Sequence, residues 1–585
     1  MRDHQTFTAH IQAQAAETPD REALILLTER DGRLQPETIA YAELDRSARI
    51  LAGLLRRHVQ PGDRVLIALD SRALFAAGFL ACLYAGAVAV PVAPPGGRGH
   101  HDERIAGIVR EAAAACVLTS VGEAAEMSQL LARTGHGDVV CLLADGPAVA
   151  NAADGAEESW QPFVPAPDSP AYIQYTSGST GDPRGVVATH RSLLANQRAI
   201  NEALGTRPGT RIGGWLPLHH DMGLVGQLLH ALWLGGTAVL LSPIAFVKRP
   251  AHWLETISRY GLTVSGAPDF AYELCVRRIN DAQIAALDLS RWEVAVSGGE
   301  PVNPATLAAF AERFAVAGLR PEALAPCYGL AEATLLVSGT RTAPAAAGRT
   351  VDAAALDDGR LTEPVGPGRF VAHCGPAASA DIRIVDPETC REVPAGSVGE
   401  IWVRGDSIGP GYWARPAETA AVFDCRMEGG GSGYLRTGDL GALEDGLLYV
   451  TGRRKDMIIC AGRNLYPQDL ERTVQRVSAL FGAATAFSVP DSRERIVIVQ
   501  ELRARSRYDV DLAGLAAAVQ RRLSEEYEVK AGGVLLVRPG TVRRTTSGKV
   551  ERAAMRRLFL RGELTPLHQR LDADVERILA AGRQR

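Results

Sequence analysis

Residues 174–185 read Gln-Tyr-Thr-Ser-Gly-Ser-Thr-Gly-Asp-Pro-Arg-Gly (QYTSGSTGDPRG), with seven Gly, Ser or Thr in twelve positions. Glycine lets a backbone approach an anion closely, and successive amides and hydroxyls can wrap phosphate oxygens. The stretch is not a Walker loop, which needs Gly-Lys-Ser/Thr after its second glycine. Here Gly181 is followed by Asp182, Pro183 and Arg184. A strand-like AYIQY precedes the stretch and a helical HRSLLANQRAINEAL follows it. This predicts a strand-to-helix turn that holds phosphate, with its lysine supplied from elsewhere in the chain.

Around this turn, from about residue 40 to 250, apolar β-type runs such as RVLIALD, AVAVPV, ACVLTS, DVVCLLAD and TAVLLSP alternate with helical ones. That is the layering of an α/β fold with a mostly parallel sheet. The apolar run Ala73–Val92 has the length of a membrane span. However, Gly86 interrupts it and it ends in a β-branched AVAVPV, so it reads as the helix and second strand of a βαβ unit. After about residue 375 the texture changes to short strands and turns, a small β-rich subdomain. It changes again around GLLYVTGRRKDMIICAGRNLYPQDLE. Between the first two textures lies 340–372, a Gly-, Pro- and Ala-rich insertion.

A chain of 585 residues makes about three or four structural units. Its 46% apolar and 22% charged residues are those of a soluble globular protein, and a net charge of −4 argues against a nucleic-acid binder. The charge is unevenly divided: 24 basic against 16 acidic residues from Lys455 onward, and 39 against 51 before it. A basic C-terminal unit suits an acidic partner; a solvated arginine-rich surface accounts for the charge equally well. The nine cysteines never come closer than Cys374 and Cys390, so no zinc or redox spacing exists and a reducing, cytoplasmic setting is expected. The N-terminal residues have no apolar core of a signal peptide.

Only four lysines, Lys248, Lys455, Lys530 and Lys549, stand against 59 arginines. A lysine retained in such a chain is a candidate for work that needs a compact ammonium. Lys455 lies in GRRKD, which begins thirteen residues beyond Asp439 of the turn YLRTGDLG, and Lys549 lies in the Ser-Gly turn of RRTTSGKVER. His219, His220 and Asp221 sit between apolar residues in GWLPLHHDMGLVG, open to a structural role as much as a chemical one. AVSGGEP and CYGLAEAT each end a strand-like run in glycine turns and a carboxylate, Glu300 and Glu332. Tyr328 is suited to stack on an aromatic ring and Glu332 to hold a hard divalent cation with phosphate oxygens. Gly405–Gly409 matches the nucleophile elbow, but Pro410 and Gly411 follow where the elbow needs a helix; Ser407 is read as a turn residue.

In their order and spacing these elements resemble the adenylate-forming superfamily over nearly the whole chain. Within it LPLHHDMGL, SGAPDFAYELCVRRI, YGLAEATL and GRNLYPQDLE resemble the fatty acyl-AMP ligases. The resemblance implies a large N-terminal adenylating domain, residues 1–453, of two doubly wound α/β subdomains and a small β-rich one. A smaller mobile α+β domain, residues 454–585, follows it. It also implies ATP and Mg²⁺, a fatty acid substrate, and transfer of the acyl group to the phosphopantetheine thiol of a separate acyl carrier protein. An acyl-CoA ligase of the same fold and a non-catalytic acyl-adenylate binder are the competing expectations.

Residue by residue, the resemblance puts Thr176, Ser177, Gly178, Ser179, Thr180, Gly181 and Arg184 at the ATP phosphates. Gly299 and Glu300 fall at the adenine pocket, Tyr328 on the base, and Gly329, Leu330 and Ala331 around the nucleotide. Asp439 and Arg453 fall at the ribose, Glu332 at Mg²⁺, and His220 beside the acyl carboxylate. Lys455 falls at the hinge, and Lys549 is the catalytic lysine. Two departures stand out: Arg184 replaces a common lysine, and Ala331 a common threonine, the latter typical of the acyl-AMP subgroup. In that subgroup an insertion at the place of 340–372 restrains the C-terminal domain and goes with poor use of coenzyme A.

Overall fold

The computed structural model describes residues 4–96, 99–147, 149, 163–177, 183–341, 348–366, 368–460, 463–489, 494–503, 510–527, 529–545 and 548–582. Two seven-stranded sheets form the body. In one, Val88–Pro91, Arg64–Ile67, Cys116–Thr119 and Val140–Leu143 are joined by parallel pairs. In the other, Arg211–Gly214, Thr237–Leu241, Val264–Ala267, Val294–Ser297 and Leu324–Pro326 are parallel, closed at one edge by the hairpin Glu22–Arg30 and Arg33–Ala40.

A single core joins these sheets. Leu24 and Leu26 come from one, Val65 and Ile67 from the other, and the helix Arg72–Ala85 lies in the same core. This explains the apolar run of spanning length: the helix is buried along its whole length after its first turn, ends at Gly86 with φ 77°, and returns as the strand Val88–Pro91. Among the described residues no helix is long and apolar enough to cross a membrane.

The turn-bearing region differs from the simple strand-to-helix reading. Pro170–Ser177 pairs antiparallel with a further strand, Pro183–Thr189, before the helix His190–Leu204 begins. The run Gly-Val-Val-Ala-Thr is β-branched and its Val186 and Val187 are buried, so it extends the sheet. Thr189 then caps the helix through a reciprocal box with Ser192.

Beyond the body, Asp381–Val385, Gly399–Arg404, Leu435–Glu444 and Leu447–Arg453 form an antiparallel four-stranded sheet. The C-terminal part builds its own sheet from Phe481–Val489, Arg495–Leu502, Gly533–Val537 and His568–Leu571, with a core of Leu470, Val474, Ile496, Ile498, Leu523 and neighbours. The described part of 340–372 is not loose chain: Gly348–Asp352 and Gly368–Ala372 pair as a hairpin around a short helix. Val351, Leu356, Leu361 and Val371 are buried against Ala442 and Tyr449.

Candidate active site

One cavity of about 760 Å³ lies where these units meet. One part is lined by polar groups, among them Thr176, Glu332, Glu400, Asp439, Arg453 and Lys549. The other is walled by Ile200, Leu204, Ile212, Val264, Val296 and Leu335. A polar chamber continuous with an apolar one can take a molecule with a charged head and a hydrocarbon tail.

The segment Tyr328–Glu332 is built to expose its groups. A Cβ on Gly329 would lie 1.9 Å from the Leu335 carbonyl oxygen, so only glycine fits there. Thr334 is held at φ 68°, its hydroxyl donating to the Ser407 carbonyl at 2.7 Å, a strained backbone of the kind concentrated at functional sites. Ser407 thus serves as a turn residue. Tyr328 donates its hydroxyl to Asp439 Oδ2 at 2.8 Å, and Arg453 Nε reaches Asp439 Oδ1 at 3.1 Å. Burial and the Asp439 carboxylate push the Tyr328 phenol well up, and Asp439 holds the Arg453 guanidinium firmly charged.

The turn carrying Asp439 is braced by residues that local patterning does not reveal. Buried Glu400 accepts from Arg436 at 2.7 Å and from the Gly438 amide at 3.1 Å. Tyr412 donates to Glu332 Oε1 at 2.8 Å, with the Arg184 guanidinium 5.5 Å from its ring centre. Arg184 pairs with Glu418 at 2.8 Å. Glu400, Arg436 and Tyr412 line the cavity. Their only sequence signal is polar or aromatic type inside short strands, which marks many residues of no consequence.

Lys549 enters from the C-terminal part. Its backbone turn is closed by Thr545 N to Lys549 O at 2.8 Å and Lys549 N to Thr545 Oγ1 at 3.1 Å. A Cβ on Gly299, whose φ is 81°, would lie 3.8 Å from Lys549 Nζ and 2.9 Å from Met222 Sδ. Glycine therefore lets the lysine and Met222 converge. Burial lowers the ammonium's pKa, opposed mainly by Asp221. His220, pushed down to about 3 by burial and the nearby Lys549 charge, is neutral and is not itself part of the cavity wall. Lys455 also lines the cavity, its pKa lowered by burial and by Arg453.

The structure thus brings Thr176, Arg184, Gly299, Tyr328, Gly329, Leu330, Ala331, Glu332, Asp439, Arg453, Lys455 and Lys549 to one cavity. Gly178, Ser179, Thr180 and Gly181, and the side chain of Ser177, lie outside the described residues. Glu300 is placed differently from its neighbour Gly299. Its carboxylate accepts from the Phe270 amide at 2.9 Å, capping the first turn of Asp269–Arg278, and it is not part of the cavity wall.

A single carboxylate at Glu332 fits a Mg²⁺ site of the kind in which phosphate oxygens and water supply most ligands. Tyr412 occupies only its Oε1, and no cluster of three acidic, His or Cys ligands is formed among the described residues.

The profile of the AMP-binding enzyme family matches residues 11–413. The chain is 37% identical over 551 residues to the medium-chain-fatty-acid–[acyl-carrier-protein] ligase JamA of Moorena producens, covering 92% of each chain. It is 35% identical to the corresponding ligase TtuA of Teredinibacter turnerae, covering 97% of this chain and 95% of that one. A fatty acyl-adenylate ligase from L. pneumophila, solved with acyl adenylate and pyrophosphate, superposes with a TM-score of 0.73 at 33% identity, covering 97% and 98% of the two chains.

Proposed function

The chain belongs to the AMP-binding enzyme family, among its fatty acyl-AMP ligases, and from that premise we propose that it activates a medium-chain fatty acid with ATP. The products of this first step are acyl-AMP and pyrophosphate. The acyl group then passes to the phosphopantetheine thiol of a separate acyl carrier protein. The observation that carries this reading is the continuous cavity, polar around Asp439 and Glu332 and apolar around Ile200 and Leu204, with Lys549 against Gly299.

In this reading the fatty acid carboxylate attacks the α-phosphorus, a new C–O–P link forms and the bond to pyrophosphate breaks. Two anions must meet, so positive charge is needed where negative charge gathers. Lys549 supplies it, and Thr176 to Gly181 with Arg184 hold the phosphates. Asp439 and Arg453 receive the ribose, Gly299 and Tyr328 the base, and neutral His220 borders the carboxylate without adding charge. Mg²⁺ held at Glu332 would neutralise phosphate oxygens when bound.

The choice of thiol falls to the insertion. Arg369 of the hairpin lies 3.4 Å from Asp357 and 3.6 Å from Asp469, with its guanidinium 5.7 Å from the centre of the Tyr527 ring. Asp469 and Tyr527 belong to the C-terminal part, and Asn464 there donates to the Asp357 carbonyl at 3.1 Å. These contacts favour the arrangement with Lys549 in the cavity and oppose the swing a small free thiol would need. The pair is largely buried, with Arg369 and Asp469 each 20% exposed and Asp357 3%. Removing its cation costs more than the about 1 kcal/mol of an exposed pair, a factor of about five or more in the equilibrium. Arg369→Ala is therefore expected to leave acyl-AMP formation nearly unchanged and to raise acyl-CoA formation several-fold, read as the acyl-CoA to acyl-AMP ratio by chromatography.

The test of the function itself is product analysis with ATP, Mg²⁺, decanoic acid and excess coenzyme A, then with a phosphopantetheinylated carrier protein. Accumulated acyl-AMP, little acyl-CoA and an acylated carrier are expected. Efficient acyl-CoA formation would instead make the protein an acyl-CoA ligase.

A further inference from the structure

One helix face runs along the cavity. The chain forms a π-helical segment, Met222–Leu229, continued by His230–Trp233, and Met222, Gly226, Gln227 and His230 all line the cavity. Extra residues per turn of this kind recur at functional sites because they re-aim side chains. Met222 lies at the Lys549 end, against Gly299. His230 lies against Gln197 of the helix whose Ile200 and Leu204 also line the cavity.

Two of these wall residues are polar, and they differ in what they have left to give. His230 is spent: Nδ1 meets Gln197 Oε1 at 2.6 Å and Nε2 meets Thr206 Oγ1 at 3.0 Å. Ser265, on the facing strand, is spent as well, accepting from Trp253 Nε1 at 2.8 Å and donating to the Gly213 carbonyl at 2.6 Å. Gln227 is not. Its Nε2 points to the Gly266 carbonyl at 3.4 Å, while its Oε1 is buried with no hydrogen-bond partner among the described residues. Exchanging oxygen and nitrogen would set two carbonyl oxygens against each other at Gly266, so the unspent group is an acceptor.

The amide also occupies a place cleared for it. A Cβ on Gly214 would lie 2.6 Å from Gln227 Nε2. An amide in this wall with one buried acceptor unmatched is a cost unless a ligand supplies a donor.

We propose that Gln227 Oε1 accepts a hydrogen bond from a hydroxyl on the acyl chain, so that the preferred acids are hydroxylated medium-length fatty acids. The inference rests on the fatty acid reading above. Gln227 is five residues beyond Met222 on the π-helical segment, which rises less per residue than the about 1.5 Å of an α-helix and sets the two no more than about 7 Å apart along the axis. The hydroxyl is therefore on the middle or distal part of the chain and not next to the carboxyl. A site that bonds a substrate hydroxyl rejects the analogue lacking it, because its own polar group is then left unpaired.

The experiment compares pyrophosphate release with decanoic acid and with a positional series of hydroxydecanoic acids, for the wild type, Gln227→Leu and Gln227→Met. In the wild type one mid-chain or distal isomer is expected to exceed decanoic acid by about tenfold or more in kcat/KM. Both variants are expected to lose that preference, read as the ratio of kcat/KM for the hydroxylated and plain acids, and their circular dichroism and melting temperatures verify that they fold. Equal use of all isomers by the wild type would overturn the proposal, as would a preference that survives in both variants. Turnover of decanoic acid without discrimination would sink only the role of Gln227. No pyrophosphate release with any acid would overturn the fatty acid reading, and this inference with it.

Discussion

Lys549→Ala is expected to lower acyl-AMP formation by about 10²–10³-fold, the usual cost of removing one preorganised group from developing negative charge. The lysine is the cation that the C-terminal part brings against Gly299, beside Asp221 and neutral His220. Transfer from pre-formed acyl-AMP to a carrier thiol is expected to survive, since the phosphoryl chemistry is then complete. The two half-reactions are read separately, by pyrophosphate release and by carrier acylation. If both fall together, Lys549 has a structural role instead.

The same residue predicts a pH effect whose sign follows from its surroundings. In the proposed reaction its charged form does the work, and burial lowers its pKa below the ordinary lysine range. Adenylation should therefore decline as pH rises, and do so at a lower pH than an exposed lysine would give. Lys549→Arg keeps its charge throughout that range and should retain reduced activity with no such alkaline decline. An alkaline limb unchanged in the arginine variant would assign the titration to another group.

Much of this architecture was legible because its causes are local. The helix Arg72–Ala85 announces itself by an apolar run ended at Gly86, and the parallel strands by short β-branched stretches between helices. The strand Pro183–Thr189 was harder to see, because a loop followed by a helix fits the same residues; only pairing with Pro170–Ser177 decides it. Within the cavity the motifs were visible as types and spacings, but their contacts are not sequence-local. Tyr328 meets Asp439 across 111 positions, and Tyr412 meets Glu332 across 80. Glu300 shows the opposite limit: it adjoins Gly299 in sequence, yet its carboxylate caps a helix instead of facing the cavity. Gln227 carried no signal at all, since a glutamine in a helix is ordinarily a surface residue. Its meaning depends on Gly214, which leaves room for its amide, and on the Gly266 carbonyl that the amide faces.

Glu332→Gln is expected to cut adenylation by about 10²-fold or more, while leaving the fold intact. The amide oxygen can still accept from Tyr412, as Glu332 Oε1 does at 2.8 Å, so the shape and the hydrogen bond remain and only the charge goes. If that charge holds Mg²⁺ against the phosphates, the variant should also need more Mg²⁺ for half-maximal rate, and excess metal should restore part of the activity. Tyr412→Phe makes the complementary cut, removing the hydrogen bond and keeping the carboxylate. Its cost should stay within about tenfold, the worth of one such bond. A loss in Tyr412→Phe as large as in Glu332→Gln would mean that orientation of the carboxylate, and not its charge, governs the step. Full activity of Glu332→Gln at an unchanged metal requirement would remove Glu332 from the metal site altogether and leave the phosphates to be held by Arg184, Lys549 and the loop between Thr176 and Arg184.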